Sequence, residues 1–389
     1  MIPKPIHEIS LADLNSLVGA VREGKSIEFK SALPEGSDRG IVAFVGGVSA
    51  LANTAGGDFV IGVSATEDGV ASEITGVVCP NVDSEKQRLE NLLRSWLEPR
   101  LPRVDIQTVH VAEDRHALVV RVQRSWIGPH RLTKDNKFYG RNSAGKYPLD
   151  VSELRTAFLY GETAAERVRA FRADRLAKIM AGETPVPMAS SAMMILHMVP
   201  LPSFAERQLV DVVANLASGY IVPLPLEGPS GGNRAVINLD GYLNCFYGGS
   251  EQARSYVQLF RSGAIEGAIC LSSDDQGGSY ITGEILDQKI NSAAQQYLRV
   301  LSALEVGFPV FAIVSLIGVR GCYMRYDAGG FWQSAPPLQE NVISLPEVAI
   351  DRADASVPAL MRPILNIVWN GFGFVQSRMY GPDGTWKGQ

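Results

Sequence analysis

Two carboxylates and a lysine stand close together near the N-terminus: Glu23, Glu28 and Lys30, in the stretch E-G-K-S-I-E-F-K. Ser26 to Lys30 alternates, with Ile27 and Phe29 on one side and Ser26, Glu28 and Lys30 on the other, which is the period of a half-buried strand. Glu28 and Lys30 therefore share a strand face, and Glu23 sits just before it. Carboxylate oxygens gathered this way suit Mg²⁺ or Mn²⁺, and a lysine beside them stabilises negative charge on a phosphorus centre. The same residues also describe the polar face of an edge strand with a Glu–Lys pair, and spacing alone does not separate the two.

A second constellation is basic. Arg121, Arg124, Arg131, Lys134, Lys137, Arg141 and Lys146 are opposed within that stretch only by Asp135, with Trp126, His130, Phe138 and Tyr139 among them. Cations interleaved with aromatic rings suit a phosphate backbone with unstacked bases. They also suit a solvated basic loop and strand. Gly140 to Tyr147 reads G-R-N-S-A-G-K-Y, close to the phosphate loop G-x-x-x-x-G-K-[ST]. Tyr147 lacks the Mg²⁺-binding hydroxyl, and Pro148 stands where a helix must begin, so no nucleotide cofactor is expected. No H-E-x-x-H occurs, and the five histidines are spread along the chain, which argues against a His-based metal site.

The elements that position these residues follow from periodicity. Ser10 caps a predicted helix over Leu11 to Arg22, with Leu11, Leu14, Leu17, Val18 and Val21 on one face. Ile41 to Ala55 is an apolar helix stopped by Gly56-Gly57, one of them expected in the left-handed position. Asp58 to Val63 reads as a central strand, followed by the acidic loop Ser64 to Gly69. Glu67 or Asp68 in that loop is placed to complete a metal site with Glu23 and Glu28, with Asp58 the less favoured partner at the strand's other end. Ser84 to Trp96 is an amphipathic helix, and Val104 to His110 with Ala117 to Val122 a hairpin. A charged helix over Ala164 to Met180 leads to a boundary near 182–190, its arginines read as a solvated face. The expected organisation is residues 1–160, a linker helix over 161–189, and a second domain over 190–389. Met193 to Val199, Gly267 to Ser272, Phe308 to Val319 and Tyr323 to Tyr326 read as strands there, the last beside Phe308 to Val319. Phe204 to Leu216, Gln252 to Arg261 and Ile285 to Leu304 read as helices, so the fold class is mixed α/β. Asp274-Asp275 follows a strand but reads as an acidic turn, and the last residues, GPDGTWKGQ, read as a tail.

Composition sets the frame. A net charge of −5 argues against a generally basic nucleic-acid binder and turns attention to local patches. Cys79, Cys245, Cys270 and Cys322 form no C-x-x-C pair and read as reduced structural thiols of a cytoplasmic protein. The N-terminus has no apolar signal region, and the longest apolar run, Phe308 to Val319, is too short to span a bilayer.

Taken together, E-x-x-x-x-E-F-K, A-L-A-N-T-A-G-G, a strand ending I-G-V and F-Y-G-R-N-S-A-G-K-Y-P-L-D-V-S-E-L resemble the Schlafen (AlbA-like) domain over about residues 8–160. The resemblance implies a mixed α+β lobe, which in animal Schlafens occurs as two fused copies around a cleft. Those proteins include metal-dependent endoribonucleases that cut tRNA and rRNA with two glutamates and an aspartate beyond the IGV strand. Glu23 and Glu28 match the glutamates; Ala65 stands at the third position, so Glu67 or Asp68 must replace it. On that implication Lys30 supports the transition state, Asp68 joins the catalytic group, and the cations from Arg121 to Lys146 hold RNA. By analogy such a chain suits a stress or anti-phage effector whose C-terminal domain senses a trigger. The alternative is a regulator that grips DNA or RNA in the same cleft without cutting, and Ala65 favours it. A third possibility is an interaction protein whose C-terminal domain carries the activity. One lobe per chain implies a homodimer.

Overall fold

The central strands of the N-terminal unit are buried on both faces. In a computed structural model, β1 (Ile27–Lys30) lies parallel to β2 (Gly57–Ile61), while β3 (Asp105–Ala112) forms an antiparallel hairpin with β4 (Arg115–Val122), which also pairs with β2. Residues 5, 203–209, 213–221, 229–233, 276, 305, 328–331 and 389 lie outside the described structure. The chain divides into two units, Met1–Thr163 and Ala164–Gln389.

In the first unit, α1 (Leu11–Asn15) covers one face of the sheet. Leu14 packs there with Ile27, Phe29, Val60 and Val119. The opposite face, with Phe59, Ile61, Leu118 and Val120, packs against α2 (Asp38–Asn53) and α3 (Val82–Trp96). Parallel strands cannot be joined by a tight turn, so α2 supplies the crossover from β1 to β2. Ser37 caps it through Gly40 N–H at 3.2 Å, and Gly56, at φ 73°, ends it by donating to Leu51 O at 2.8 Å. The helix predicted to reach Arg22 stops at Asn15 instead. Gly19, at φ 72°, turns the chain back so that its N–H meets Ala71 O at 2.8 Å.

A smaller sheet contains β5 (Lys137–Asn142) and β6 (Gly145–Pro148), an antiparallel hairpin, with Arg131–Leu132 and Leu97–Glu98 beside it. The sequence that nearly matched a phosphate loop is this hairpin. Asn53 at the end of α2 sews it on: Nδ2 donates to the carbonyls of His130 and Tyr139, and Oδ1 accepts from His130 N–H.

The helix predicted from Ala164 begins earlier, as α4 (Val151–Met180). In the second unit, β7 (Met193–Pro200), β8 (Arg234–Ile237), β9 (Gly241–Phe246), β10 (Ser255–Phe260), β11 (Ile265–Cys270) and β12 (Val310–Ile317) form one antiparallel sheet in the order β8-β9-β10-β11-β7-β12. The helix expected over Gln252 to Arg261 is the strand β10. It is buried on both faces, with Val257 and Leu259 in one core and Tyr256 in another, and so it shows no alternation in sequence. Tyr323–Asp327 pairs with Ser279–Thr282, not with β12. The helix expected over Phe204 to Leu216 falls largely outside the described residues. The final segment is packed: Tyr380 is buried and its ring lies 4.9 Å from that of Trp386.

Arg175 on α4 is buried, not part of a solvated face. It donates to both oxygens of Glu266 at 2.9 Å, where Tyr256 OH and His197 Nε2 also converge at 2.9 Å. Burial pushes Glu266 up, but its bonds to Arg175 and His197 outweigh that and hold it down at about 2. The chain is thus mixed α/β, with its cysteines buried and unpaired, and no helix among the described residues is long and apolar enough to cross a membrane.

One buried carboxylate yields a prediction. Asp287 lies on α5 (Gly283–Ala303) and accepts from Trp369 Nε1 at 3.0 Å and from Ser377 Oγ. Burial pushes it up to about 7 despite both donors. A raised carboxyl contributes stability that is full below its ordinary value of 3.8 and lost as pH rises through about 7. Thermal melts are expected to show a lower Tm at pH 8.5 than at pH 5.5, and Asp287→Asn should flatten that difference.

Candidate functional site

Glu28 lies opposite Phe59 in the β1–β2 pair, on the face covered by α2. The helix carries Gly46-Gly47 there. A Cβ at Gly47 would stand 2.6 Å from the Phe59 ring and 3.0 Å from Glu28 Oε2, and one at Gly46 would stand 2.8 Å from Lys146 Nζ. Each glycine costs a helix about 1 kcal/mol relative to alanine. Here they leave room for a carboxylate and an ammonium against the helix backbone.

Three cations gather around Glu28. Arg141 Nη1 donates to Oε2, and Lys30 Nζ donates to Oε1 at 2.7 Å. Arg141 is buried and fully used: Nε donates to Gly24 O at 2.6 Å, Nη2 to Ile27 O at 3.0 Å, and its backbone N–H to Thr54 Oγ1 at 3.0 Å. Lys146 Nζ donates to Val42 O at 2.6 Å and lies 4.7 Å from the Tyr139 ring centre. Burial pushes the Lys146 ammonium below its ordinary pKa. Glu28 pulls the other way, and Lys30 and Arg141 add to the lowering. Glu23 stands at the edge, its Oε1 accepting Phe29 N–H at 2.7 Å and lying 4.0 Å from Lys30 Nζ.

The structure thus brings Glu23, Glu28 and Lys30 together, but not as a three-carboxylate set. Glu67 and Asp68 are exposed in the turn between Val63–Ala65 and Ala71–Ile74. That turn passes Glu23, whose N–H donates to Gly69 O at 2.8 Å. Even so, among the described residues no three His, Cys, Asp or Glu side chains stand close enough to hold a metal ion. Both oxygens of Glu28 already face cations, and a divalent ion there would meet like charge on two sides. The donor set does not fit Mg²⁺ or Mn²⁺. Asp58 is engaged elsewhere, bound by Arg121 at 2.7 and 2.9 Å and by Ile2 N–H at 2.6 Å.

The basic run resolves into separate roles. Arg121 anchors Asp58 and the carbonyls of Ile2 and Lys4. Arg124 lies 3.8 Å from the Tyr160 ring centre, Arg131 pairs with Glu98 at 2.5 Å, and Lys134 pairs with Asp38 at 2.8 Å beside Trp96. Arg141 and Lys146 belong to the Glu28 cluster, and Lys137 is exposed at the start of β5. Several of these cations thus have a partner of their own, a carboxylate, a carbonyl or a ring, on different strands and turns.

Sequence reading missed Arg39. It is exposed in the first turn of α2 and, with Lys30, lines a pocket of about 300 Å³ whose walls include Leu33, Pro34, Ala43 and Phe59. Nothing in its local sequence separates it from an ordinary solvated arginine; only the crossover from β1 into α2 sets it beside Lys30.

Residues 23–150 match the family model described as Schlafen, AlbA_2, which bears out the resemblance read from these motifs. Solved structures similar to parts of the chain include two from bacteria. One is the N-terminal domain of a putative ATP-dependent DNA helicase RecG-related protein from Nitrosomonas europaea, at 26% identity over 30% of this chain and 74% of that one, with a TM-score of 0.24. The other is the DIP2311 protein from Corynebacterium diphtheriae, at 15% identity over 38% of this chain and 28% of that one, with a TM-score of 0.27. No curated protein matches the chain.

Removing one partner of a buried pair leaves the other charge stranded, at a cost of about 3–5 kcal/mol. Arg141→Ala is expected to lower the stability of the N-terminal unit by that order, read as the urea midpoint. The double variant Arg141→Met, Glu28→Gln should recover part of the loss.

Proposed function

We propose that the Schlafen AlbA_2 domain of this chain, residues 23–150, binds nucleic acid and does not cut it. The observation that carries this reading is the occupation of Glu28. Arg141 and Lys30 take its two oxygens, and Lys146 adds a third cation nearby, so the cluster is built to attract phosphate more than to coordinate a divalent metal. Lys30 is the member of the cluster that reaches the pocket, where Arg39 joins it. Phosphate contacts by such side chains give affinity without sequence preference.

One observation favours the metal-dependent nuclease instead. Glu23 Oε1 and Glu28 Oε1 both face a single cationic position, Lys30 Nζ, at 4.0 and 2.7 Å. On that reading Glu23 and Glu28, with Asp68 or Glu67, would have to hold Mg²⁺ or Mn²⁺ in place of the ammonium, with tRNA-like RNA as the substrate. Incubation with total tRNA and Mn²⁺ decides between the two. We expect RNA that is retarded on a native gel and recovered intact. Cleavage abolished by EDTA and by Glu28→Gln would establish the nuclease and overturn the binder.

The binder makes a further quantitative claim. Each phosphate neutralised adds about 0.7–0.9 to the slope of log affinity against log salt. Arg39→Ala is expected to weaken binding to all sequences alike and to reduce that slope by about one such step, measured by fluorescence anisotropy across a salt series. The reading also takes a second copy to complete a two-lobed cleft, and light scattering at micromolar concentration should give the mass of two chains.

A further inference from the structure

The pocket beside Lys30 has the form of a receptor for one unpaired base. Its volume, about 300 Å³, lies at the small end of ligand pockets, which run roughly 300–1,000 Å³. That is room for a single flat heterocycle and part of its sugar. Its walls are mostly apolar: Ala32, Leu33, Pro34 and Ala43, floored by the buried rings of Phe44 and Phe59. Its charged lining residues are Lys30, Arg39 and Glu35, the last accepting from Ser37 Oγ at 3.2 Å. Lys30 is not a free-swinging side chain. It is held by Glu28 and by Phe29 O, and its ammonium lies 5.8 Å from the Phe59 ring centre. Cations therefore stand at an apolar recess, the arrangement in which a nucleotide places its phosphate outside and its base within.

We propose that this pocket takes up one unstacked base of a single-stranded nucleic acid, with the adjoining phosphate on Lys30 and Arg39. The proposal rests on the nucleic-acid-binding reading above and adds to it a preference that phosphate contacts alone cannot give. A base in a duplex is stacked and paired, and its removal costs a few kcal/mol, whereas an unpaired base enters without that cost. The protein therefore selects single strands, loops and ends over regular duplex.

The test uses the full chain and fluorescein-labelled twelve-nucleotide strands of RNA and of DNA, read by anisotropy at low salt. Three probes are compared for each: the single strand, a blunt duplex, and a single strand of abasic residues. Ala43→Trp fills the pocket from the exposed side of α2, away from the core. We expect the wild type to bind the base-bearing single strand at least tenfold more tightly than the duplex or the abasic strand. Ala43→Trp should lose that tenfold advantage and keep the wild-type affinity for duplex. Equal wild-type affinity for base-bearing and abasic strands overturns the proposal without any variant and leaves the binder standing. Wild-type affinity for the single strand in a folded Ala43→Trp likewise overturns the pocket alone. No binding to any probe overturns both the pocket and the nucleic-acid reading. A difference between the RNA and DNA strands assigns the polymer.

Discussion

The pairing of Glu28 with Arg141 is the contact on which the N-terminal unit turns. It joins a residue of the first strand to one of the β5–β6 hairpin, more than a hundred positions later in the chain. The carboxylate is buried on the helix-facing side of β1, where an unpaired charge would be intolerable. Arg141 meets it and also takes the carbonyls of Gly24 and Ile27, so the guanidinium closes the backbone before the strand as well as the side chain within it. Buried ion pairs contribute little net stability relative to apolar replacements. The value of this one lies in geometry: it fixes where Lys30 points and forces α2 to present glycine to the sheet.

That constraint explains why the same residues support two readings of function. Glu23, Glu28 and Lys30 are close in space, as their spacing on a strand requires. Whether two carboxylates bind metal or hold a lysine is decided by what else approaches them. Here the approach is by cations from the hairpin, while the acidic turn carrying Glu67 and Asp68 contributes a backbone carbonyl to Glu23 N–H. The second unit uses the same device. Glu266 is surrounded by Arg175, His197 and Tyr256, which joins α4 to three neighbouring strands.

Much of the first unit was legible from sequence because its signals are local. The Ser10 cap, the Gly56 stop, the alternation of Ile27 to Lys30 and the β3–β4 hairpin each depend on a few adjacent residues. The basic run is harder to read for the opposite reason. Arg121 finds Asp58 and Arg131 finds Glu98 across strands that only the fold brings together, so a count of cations along the chain says little about free charge. The strand β10 was hidden because it is buried on both faces and carries no period. Arg39 was hidden because its place at the pocket is set by the crossover rather than by its own neighbours.

The attachments of α2 have a consequence for what happens at its first turn. Asn53 ties the helix end to the hairpin by three hydrogen bonds, Lys146 grips Val42 O midway, and Gly47 lies flush on Glu28 and Phe59. A ligand arriving beside Arg39 thus meets a floor that is already organised. Little ordering entropy of the protein then has to be spent on association, and the exposed side chain of Arg39 carries most of what remains. Such a surface answers to the flexibility of its ligand more than to its own.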